Sequence, residues 1–334
     1  MRTIVRRLPD EFVERFRRLV PSSRADLLLN TFSVARPTTF RVNTLRAEPR
    51  AIREQLTETG IRLQHVPWYD EAFIVLNADD RRVGELPAYA SGAIYVQGLS
   101  SMLPPLVLQP QPGETILDLT AAPGSKTSQL AALMQNRGTL IANDNNRVRL
   151  FKLRATVERQ GATCVEVTGF YGETVWRRYG ERFDRVLLDA PCSAEGRFSV
   201  HEPKSYHYWK PKKIQEMARK QKKLLYSAIH ALKPGGTLVY STCTFAPEEN
   251  ETVLDWALGK FGGAVELVPV ELGSGRPLPP HLAGMVQWDG HAFHPSVRTA
   301  VRVLPSETVE GFFIAKLVKR RSTVPSASDG DEAS

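Results

Sequence analysis

Thr115-Ile-Leu-Asp-Leu-Thr-Ala-Ala-Pro-Gly-Ser-Lys-Thr-Ser-Gln-Leu-Ala-Ala-Leu-Met134 joins an aliphatic run, a turn of small residues and a helical stretch. The run Thr115–Leu119 has the length and composition of a strand buried on both faces. In the turn, Ala121, Ala122 and Gly124 let the backbone approach a ligand closely, and a helix N-terminus follows at Ser125. The turn is neither a P-loop nor a clean GxGxxG, and an ordinary strand–helix connection is the plain alternative. Further along, Thr139–Asn143, Cys164–Thr168, Arg185–Asp189 and Thr237–Ser241 repeat the aliphatic run, with helices predicted over Ser125–Met134 and Arg147–Gln160. Strands alternating with helices predict an α/β fold with a doubly wound parallel sheet. Gly311-Phe-Phe-Ile-Ala-Lys-Leu-Val318 reads as a late strand.

Upstream, the pattern differs. Phe12, Phe16 and Leu19 recur at helical spacing within residues 1–22, and Pro21 stops that helix. Thr39–Leu45 alternates like a strand, Ala51–Thr59 reads as a helix ending at Gly60, and residues 61–66 and 72–76 read as short strands. Gly84–Gly92 is loop-rich. This divides the chain into an α+β domain over 1–90, a larger domain over 91–320, and a tail over 321–334 whose Ser, Asp, Glu and Ala show no periodicity and predict disorder.

Composition narrows the classes. At 334 residues, 42% hydrophobic and 24% charged, the chain is neither disordered, collagen-like nor a coiled coil. A net charge of +8 suits a polyanionic partner, nucleic acid before membrane, although a solvated basic surface gives the same count. Cys164, Cys192 and Cys243 are too few for a disulfide scaffold, and no CxxC pair suggests a metal site. The N-terminus has no apolar signal region and no stretch is long enough to span a membrane, so the expected location is the cytoplasm, with no membrane partner and a monomeric state.

In a doubly wound sheet, ligands bind beyond the carboxyl ends of the strands. Asp144 ends the second run, about 20 residues past the small-residue turn, where an acid suits ribose hydroxyls; the alternative is a helix N-cap. Arg149 either braces that acid, contacts the ligand or is solvated. The fourth run ends in Asp189-Ala-Pro-Cys-Ser193 and the fifth in Ser241-Thr-Cys-Thr244, which brings Cys192 and Cys243 to one cleft if these strands are neighbours. A disulfide is the alternative, but rare in the cytosol. A helix predicted from Pro247 through Ala257 favours a thiolate at Cys243 and marks it as the nucleophile. Cys164, inside the third run, reads as core. Residues 204–223 hold eight Lys or Arg against one acid, with aromatic residues interleaved. Lys204, Lys210, Lys212 and Lys213 are read as RNA phosphate contacts and Tyr208 and Trp209 as base-stacking residues; a solvated basic helix is the alternative.

The set DLTAAPGSKT, DAPCS and STCT, in that order, resembles the Nop/Sun (RsmB/RsmF-like) RNA cytosine-C5 methyltransferases, as do TTFRVNTL near residue 40, YVQGLSSMLP at 95–104 and GFFIAK at 311–316. The resemblance implies a class I methyltransferase (Rossmann-like) fold, a small N-terminal domain of RNA-recognition-like fold that helps to hold RNA, and S-adenosylmethionine as cofactor. Thr120, Ala121, Ala122, Pro123, Gly124, Ser125 and Lys126 would line the cofactor's methionine and ribose side, with Asp144 on the ribose, Arg149 nearby and Asp189 adjoining. Where the family has Phe/Tyr-Asp-Gly, this chain has Tyr171, which implies an altered contact to adenine. Cys243 would add to C6 of cytosine, Asp189 and Lys126 would hold the base's N3/N4 edge, and Cys192 or a water it positions would take the C5 proton. The implied substrate is ribosomal RNA first and transfer RNA second. A non-catalytic assembly factor that kept the fold is the other reading; a nicotinamide dehydrogenase lacks its glycine fingerprint here.

Overall fold

A computed structural model describes residues 8–323; the expected disordered tail beyond 323 and the first seven residues lie outside the described residues. The chain opens with α1 (Asp10–Leu19) and α2 (Ser22–Asn30), each entered from a proline, Pro9 and Pro21. Asp10 and Glu11 in the first turn of α1 and Arg17 and Arg18 in its last match the helix dipole. Phe12 lies 4.8 Å from Phe198, and Phe16 lies 4.9 Å from Phe245, ring centre to ring centre. These contacts attach the first helices to the large domain.

The small domain consists of β1 (Thr39–Val42), α3 (Pro49–Glu58), β2 (Leu63–Val66), β3 (Tyr69–Val75), α4 (Asp80–Gly84), α5 (Pro87–Ala90) and β4 (Ile94–Val96). Its sheet order is β2-β3-β1-β4, every neighbour antiparallel. Because β4 pairs with β1 (Phe40 opposite Val96, Val42 opposite Ile94), this domain extends past residue 90. Period-2 alternation splits the sheet's faces. Phe40, Val42, Phe73 and Val75 pack with Ile52 and Leu56 of α3. On the other face, Ala72 and Ile74 pack with Leu99, Met102 and Leu103 of the large domain. Arg41, fully buried, donates from Nε to Gln97 Oε1 (3.0 Å) and from Nη2 to Ser128 Oγ (2.7 Å). The strand order is that of an RNA-recognition fold, but the helix-free face of its sheet is covered by the large domain and is not open to RNA.

The large domain runs through α6 (Leu99–Leu108), β5 (Thr115–Asp118), α7 (Ser125–Leu133), β6 (Thr139–Asn143), α8 (Arg147–Gln160), β7 (Val165–Thr168), β8 (Phe183–Asp189), α9 (Pro211–Ala231), β9 (Leu232–Thr242), α10 (Glu251–Phe261) and β10 (Val265–Val268). It closes with β11 (His281–Ala283), the hairpin β12 (Gln287–Trp288) and β13 (His291–Ala292), then β14 (Val301–Val303) and β15 (Phe312–Lys319). The large sheet has the order β11-β14-β15-β9-β8-β5-β6-β7, with β10 also on β15. From β7 to β9 the pairs are parallel, and Leu117, Leu140, Ala142, Val186, Leu187, Leu238 and Val239 are fully buried, as strands covered on both faces require. β15 runs antiparallel against β9, and the pairs beyond it, β14 and β10 with β15 and β11 with β14, are antiparallel too, so the sheet as a whole is mixed. This is a class I methyltransferase fold. From β5 the chain winds outward through β6 and β7, then returns to β8 and β9, so the switch point lies between β5 and β8.

Candidate active site

A cleft of about 490 Å³ opens at that switch point. Thr120, at the end of β5, donates from Oγ1 to the Asp189 carbonyl at the end of β8 (2.8 Å) and ties the two strands together there. Gly124 then starts α7 at φ +106°, a conformation suited to glycine, and a β-carbon there would sit 3.0 Å from the side chains of Leu153 and Thr156. Thr120, Ala122, Pro123, Ser125 and Lys126 line the cleft, while Ala121 and Gly124 shape the turn from behind. Asp118 lies under the turn; its Oδ2 accepts from Thr127 Oγ1 (2.7 Å), and burial pushes its carboxyl up to about 7.

Asp144 lines the same end of the cleft and is nearly buried. The N-cap of α8 is Asn146, whose Oδ1 accepts from Arg149 N (3.0 Å), so capping is not the role of Asp144. Arg149 braces the acid at 3.3 Å and also donates to the Ala122 carbonyl. A buried acid, a helix N-terminus and the apolar side chains of Leu119 and Leu224 fit a nucleoside cofactor with a polar diol and a flat base.

Tyr171 does not join this set: it is 70% exposed and absent from the cleft lining. The cause is Asn143, whose Oδ1 accepts from Phe170 N (2.9 Å) and whose Nδ2 donates to the Phe170 carbonyl (3.0 Å). With Phe170 clamped, Tyr171 turns outward, and Gly172 and Glu173 form the wall instead. The chain thus does place an acid here, two residues later than the family pattern led the sequence reading to look.

Asp189, Cys192 and Cys243 line the same cleft. Asp189 and Ser241 are register partners across β8 and β9, and the loops that leave these strands bring Cys192 Sγ to 3.3 Å from Cys243 Sγ. Both are free thiols. A hydrogen bond between the two sulfurs, reinforced by burial, raises the Cys192 thiol well above its usual range. Lys126 Nζ donates to Asp189 Oδ2 (2.7 Å) and to Ser101 Oγ (2.8 Å), and Ser241 Oγ donates to Asp189 Oδ1 (2.8 Å). Ser101 went unremarked in the sequence beyond its place in YVQGLSSMLP. Among the described residues, no cluster of three or more His, Cys, Asp or Glu could hold a metal ion.

Buried acids hold the cysteine loops. Glu195 Oε2 accepts from Thr244 Oγ1 (2.9 Å) and Phe245 N (3.0 Å), and its Oε1 accepts from Trp209 Nε1 (3.0 Å). Trp209 is 9% exposed and packs on Phe12 and Phe198, so it is a core residue and not a base-stacking one. Its indole N–H is satisfied only by this buried carboxylate. Tyr208, by contrast, is 81% exposed. Lys204, Lys210 and Lys212 are exposed, whereas Lys213 pairs with Glu216 at 3.0 Å. Lys220 of α9 lines the cleft. The helix expected from Pro247 starts at Glu251; Asn250 instead caps a turn, accepting from Thr242 Oγ1 (2.6 Å) and donating to the Thr244 carbonyl (3.0 Å).

Glu249 accepts at Oε2 from Ser193 N (3.0 Å) and Gln221 Nε2 (2.8 Å), while its Oε1 is buried without a partner. Burial therefore pushes this carboxyl from its ordinary 4.5 up to about 8. The folded protein holds a proton there that the unfolded chain loses, so stability falls as pH rises from about 4.5 to about 8. Glu249→Gln keeps the acceptor for Ser193 N and removes the titration. Its melting temperature is expected to gain on that of the unsubstituted protein steadily from about pH 5 to about pH 8. A constant difference across thermal melts in that window would show that Glu249 is not the titrating group.

Residues 105–318 match the family model of the 16S rRNA methyltransferase RsmB/F, and residues 8–98 match that of the N-terminal domain of 16S rRNA methyltransferase RsmF. A tRNA (cytosine(49)-C(5))-methyltransferase of Pyrococcus abyssi is 38% identical over 95% of this chain and 98% of its own length. The ribosomal RNA small subunit methyltransferase F of Pectobacterium carotovorum is also 38% identical over 95% of this chain, which spans 64% of that protein. A mouse 28S rRNA (cytosine-C(5))-methyltransferase is 37% identical, and the chain spans 40% of it. The crystal structure of a methyltransferase homologue from Pyrococcus horikoshii matches with a TM-score of 0.77 and 33% identity, covering 93% of this chain and 100% of that one. With both models matched in order and a relative of this identity covered almost end to end, the chain belongs to the RsmB/F methyltransferase family.

Proposed function

We propose that this chain methylates C5 of a cytosine in RNA through a covalent bond between Cys243 and C6 of the base. The observation that carries this reading is the pair of thiols 3.3 Å apart beside the Lys126–Asp189 ion pair, in a cleft built for a nucleoside cofactor. S-adenosylmethionine, the cofactor of the family, supplies an electrophilic methyl group when bound. Thr120, Ala122, Pro123, Ser125 and Asp144 are the residues that would hold it, with Arg149 fixing Asp144.

C5 of cytosine is too weak a nucleophile to take a methyl group unaided. Addition of the Cys243 thiolate to C6 forms a C–S bond and pushes the electron pair of the C5–C6 double bond towards C4 and N3, which makes C5 enamine-like. Asp189, held as an acceptor by Lys126 and Ser241, receives the N4 amino group, while the Lys126 ammonium offsets charge that develops at N3. Once C5 carries its methyl group, loss of the C5 proton restores the double bond and expels the thiolate. Cys192, 3.3 Å from Cys243, is the candidate for that proton transfer, directly or through a water. The base must be unpaired or flipped to reach the cleft.

Ribosomal RNA is the first substrate proposed, because both family models that match are drawn from 16S rRNA methyltransferases. Transfer RNA is second, because the relative matched over nearly its full length is named for a tRNA cytosine. We place the enzyme in the cytoplasm as a monomer; among the described residues, no helix is long and apolar enough to cross a membrane. The test supplies methyl-labelled S-adenosylmethionine with separated, unmodified ribosomal and transfer RNA, then digests to nucleosides. Labelled 5-methylcytidine is expected in the ribosomal pool. Label only in the transfer RNA pool reverses the order of substrates. With cofactor binding intact, no label in either pool or in isolated ribosomal subunits overturns the enzymatic reading in favour of an assembly factor.

A further inference from the structure

Arg197 enters the cleft on the loop that follows Cys192, beside both thiols. Its position is set by the residues before it. Glu195 is anchored by Trp209, Thr244 and Phe245 N, and Gly196 N donates to the Cys243 carbonyl (2.8 Å). A β-carbon on Gly196 would lie 2.0 Å from the Gly311 carbonyl oxygen, so the backbone is pressed into place there. The side chain that follows is less constrained. Arg197 Nε lies 3.8 Å from Glu310 Oε1, near the outer limit of an ion pair, and the two side chains remain 65% and 25% exposed. Glu310 raises the guanidinium's affinity for its proton, with smaller contributions from Cys243 and Cys192, which places this cation in the electrostatic field of the reacting sulfurs.

A guanidinium on a fixed base, lining a cleft and loosely held by one replaceable carboxylate, is suited to a bidentate anion. The anion that accompanies any base into this cleft is its own phosphodiester. We propose that Arg197 binds the phosphate of the nucleotide whose base is methylated, and that Glu310 is the resting partner this phosphate displaces. Arg197 then acts as a positioning residue: it sets how deep the nucleotide sits against Cys243. This inference rests on the RNA methyltransferase reading of the cleft.

The probe is an unmodified transcript of small-subunit ribosomal RNA, with a transfer RNA transcript in parallel. Binding to the full chain is followed by equilibrium filter binding between about 50 and 200 mM salt, and methylation kinetics are measured beside it. Arg197→Ala is expected to weaken RNA binding about tenfold at low salt and to reduce the slope of log affinity against log salt by about 0.7–0.9. Its KM for RNA rises while kcat changes little, and affinity for S-adenosylhomocysteine stays within about twofold. Arg197→Lys keeps the charge and restores the slope. Glu310→Gln tightens RNA binding, because the competing carboxylate is gone. Unchanged affinity and slope in Arg197→Ala, with wild-type methylation intact, overturn the phosphate contact and leave the enzymatic reading standing. A loss confined to kcat, with a shifted pH profile, also overturns it and moves Arg197 to the Cys243 thiolate. A wild-type chain that binds neither RNA sinks both readings.

Discussion

Cys243→Ala is expected to lower methyl transfer by at least about 10⁴-fold, because without the thiolate C5 has no route to nucleophilicity. Cys192→Ala is expected to behave differently: one methyl group is transferred per enzyme, and a protein–RNA adduct then accumulates that survives a denaturing gel. The two thiols divide the work because the contact with Cys243, reinforced by burial, raises the Cys192 thiol well above its usual range. Cys192 keeps its proton, since the contact with Cys243 Sγ and its burial both oppose ionisation. Once Cys243 is bonded to C6 it is a thioether, and the thiol–thiol contact that chiefly raises the Cys192 thiol no longer exists in that form. Cys192 thus becomes a competent base when the adduct exists and a proton must be removed. The assay is a gel shift of labelled RNA with each variant, with and without S-adenosylmethionine. An adduct in Cys243→Ala but not in Cys192→Ala would falsify this assignment and exchange the two roles.

Much of this site was legible in the sequence because the sheet imposes it. Runs such as Thr139–Asn143 are continuous and aliphatic, which only a strand covered on both faces tolerates, and the structure forms β6 over those residues. Once β8 and β9 are neighbours, Cys192 and Cys243 must meet, since each lies just past a strand end. Three features were not legible. Trp209 sits among lysines, as a stacking residue does, and nothing local reveals that Glu195 holds its indole in the core. Tyr171 occupies the family's acid position, but the clamp that turns it outward comes from Asn143 on another strand. Arg41 alternates as a strand residue does, yet the sequence does not say that its side chain enters the seam between domains. Each failure concerns which face a side chain presents, and long-range partners decide that where local periodicity cannot.

Asp189→Asn and Lys126→Met should each lower kcat by about 10²–10³-fold, or about 3–4 kcal/mol of transition-state stabilisation. Lys126 is nearly buried, and its Nζ has two side-chain acceptors, Asp189 and Ser101. Asn at 189 keeps the shape and the contact with Ser241 but removes the charge that Lys126 neutralises, leaving an ammonium without its counter-charge. It also offers N4 of the base a neutral acceptor in place of an anion. Met at 126 leaves Asp189 charged in a cleft with Ser241 as its remaining donor. If the pair acts as a unit on the N3/N4 edge, the double variant will be close to either single one, because breaking the unit once already removes most of its effect. Multiplied losses in the double variant would instead mean that the two groups serve different atoms. Calorimetric titration with S-adenosylhomocysteine separates the remaining alternative, since Asp189 also borders the cofactor turn through its carbonyl bond to Thr120. A backbone bond survives the Asn substitution, so cofactor affinity should hold within a few-fold while kcat falls. An affinity loss as large as the loss in kcat would assign Asp189 to cofactor binding and leave Lys126 alone at the edge of the base.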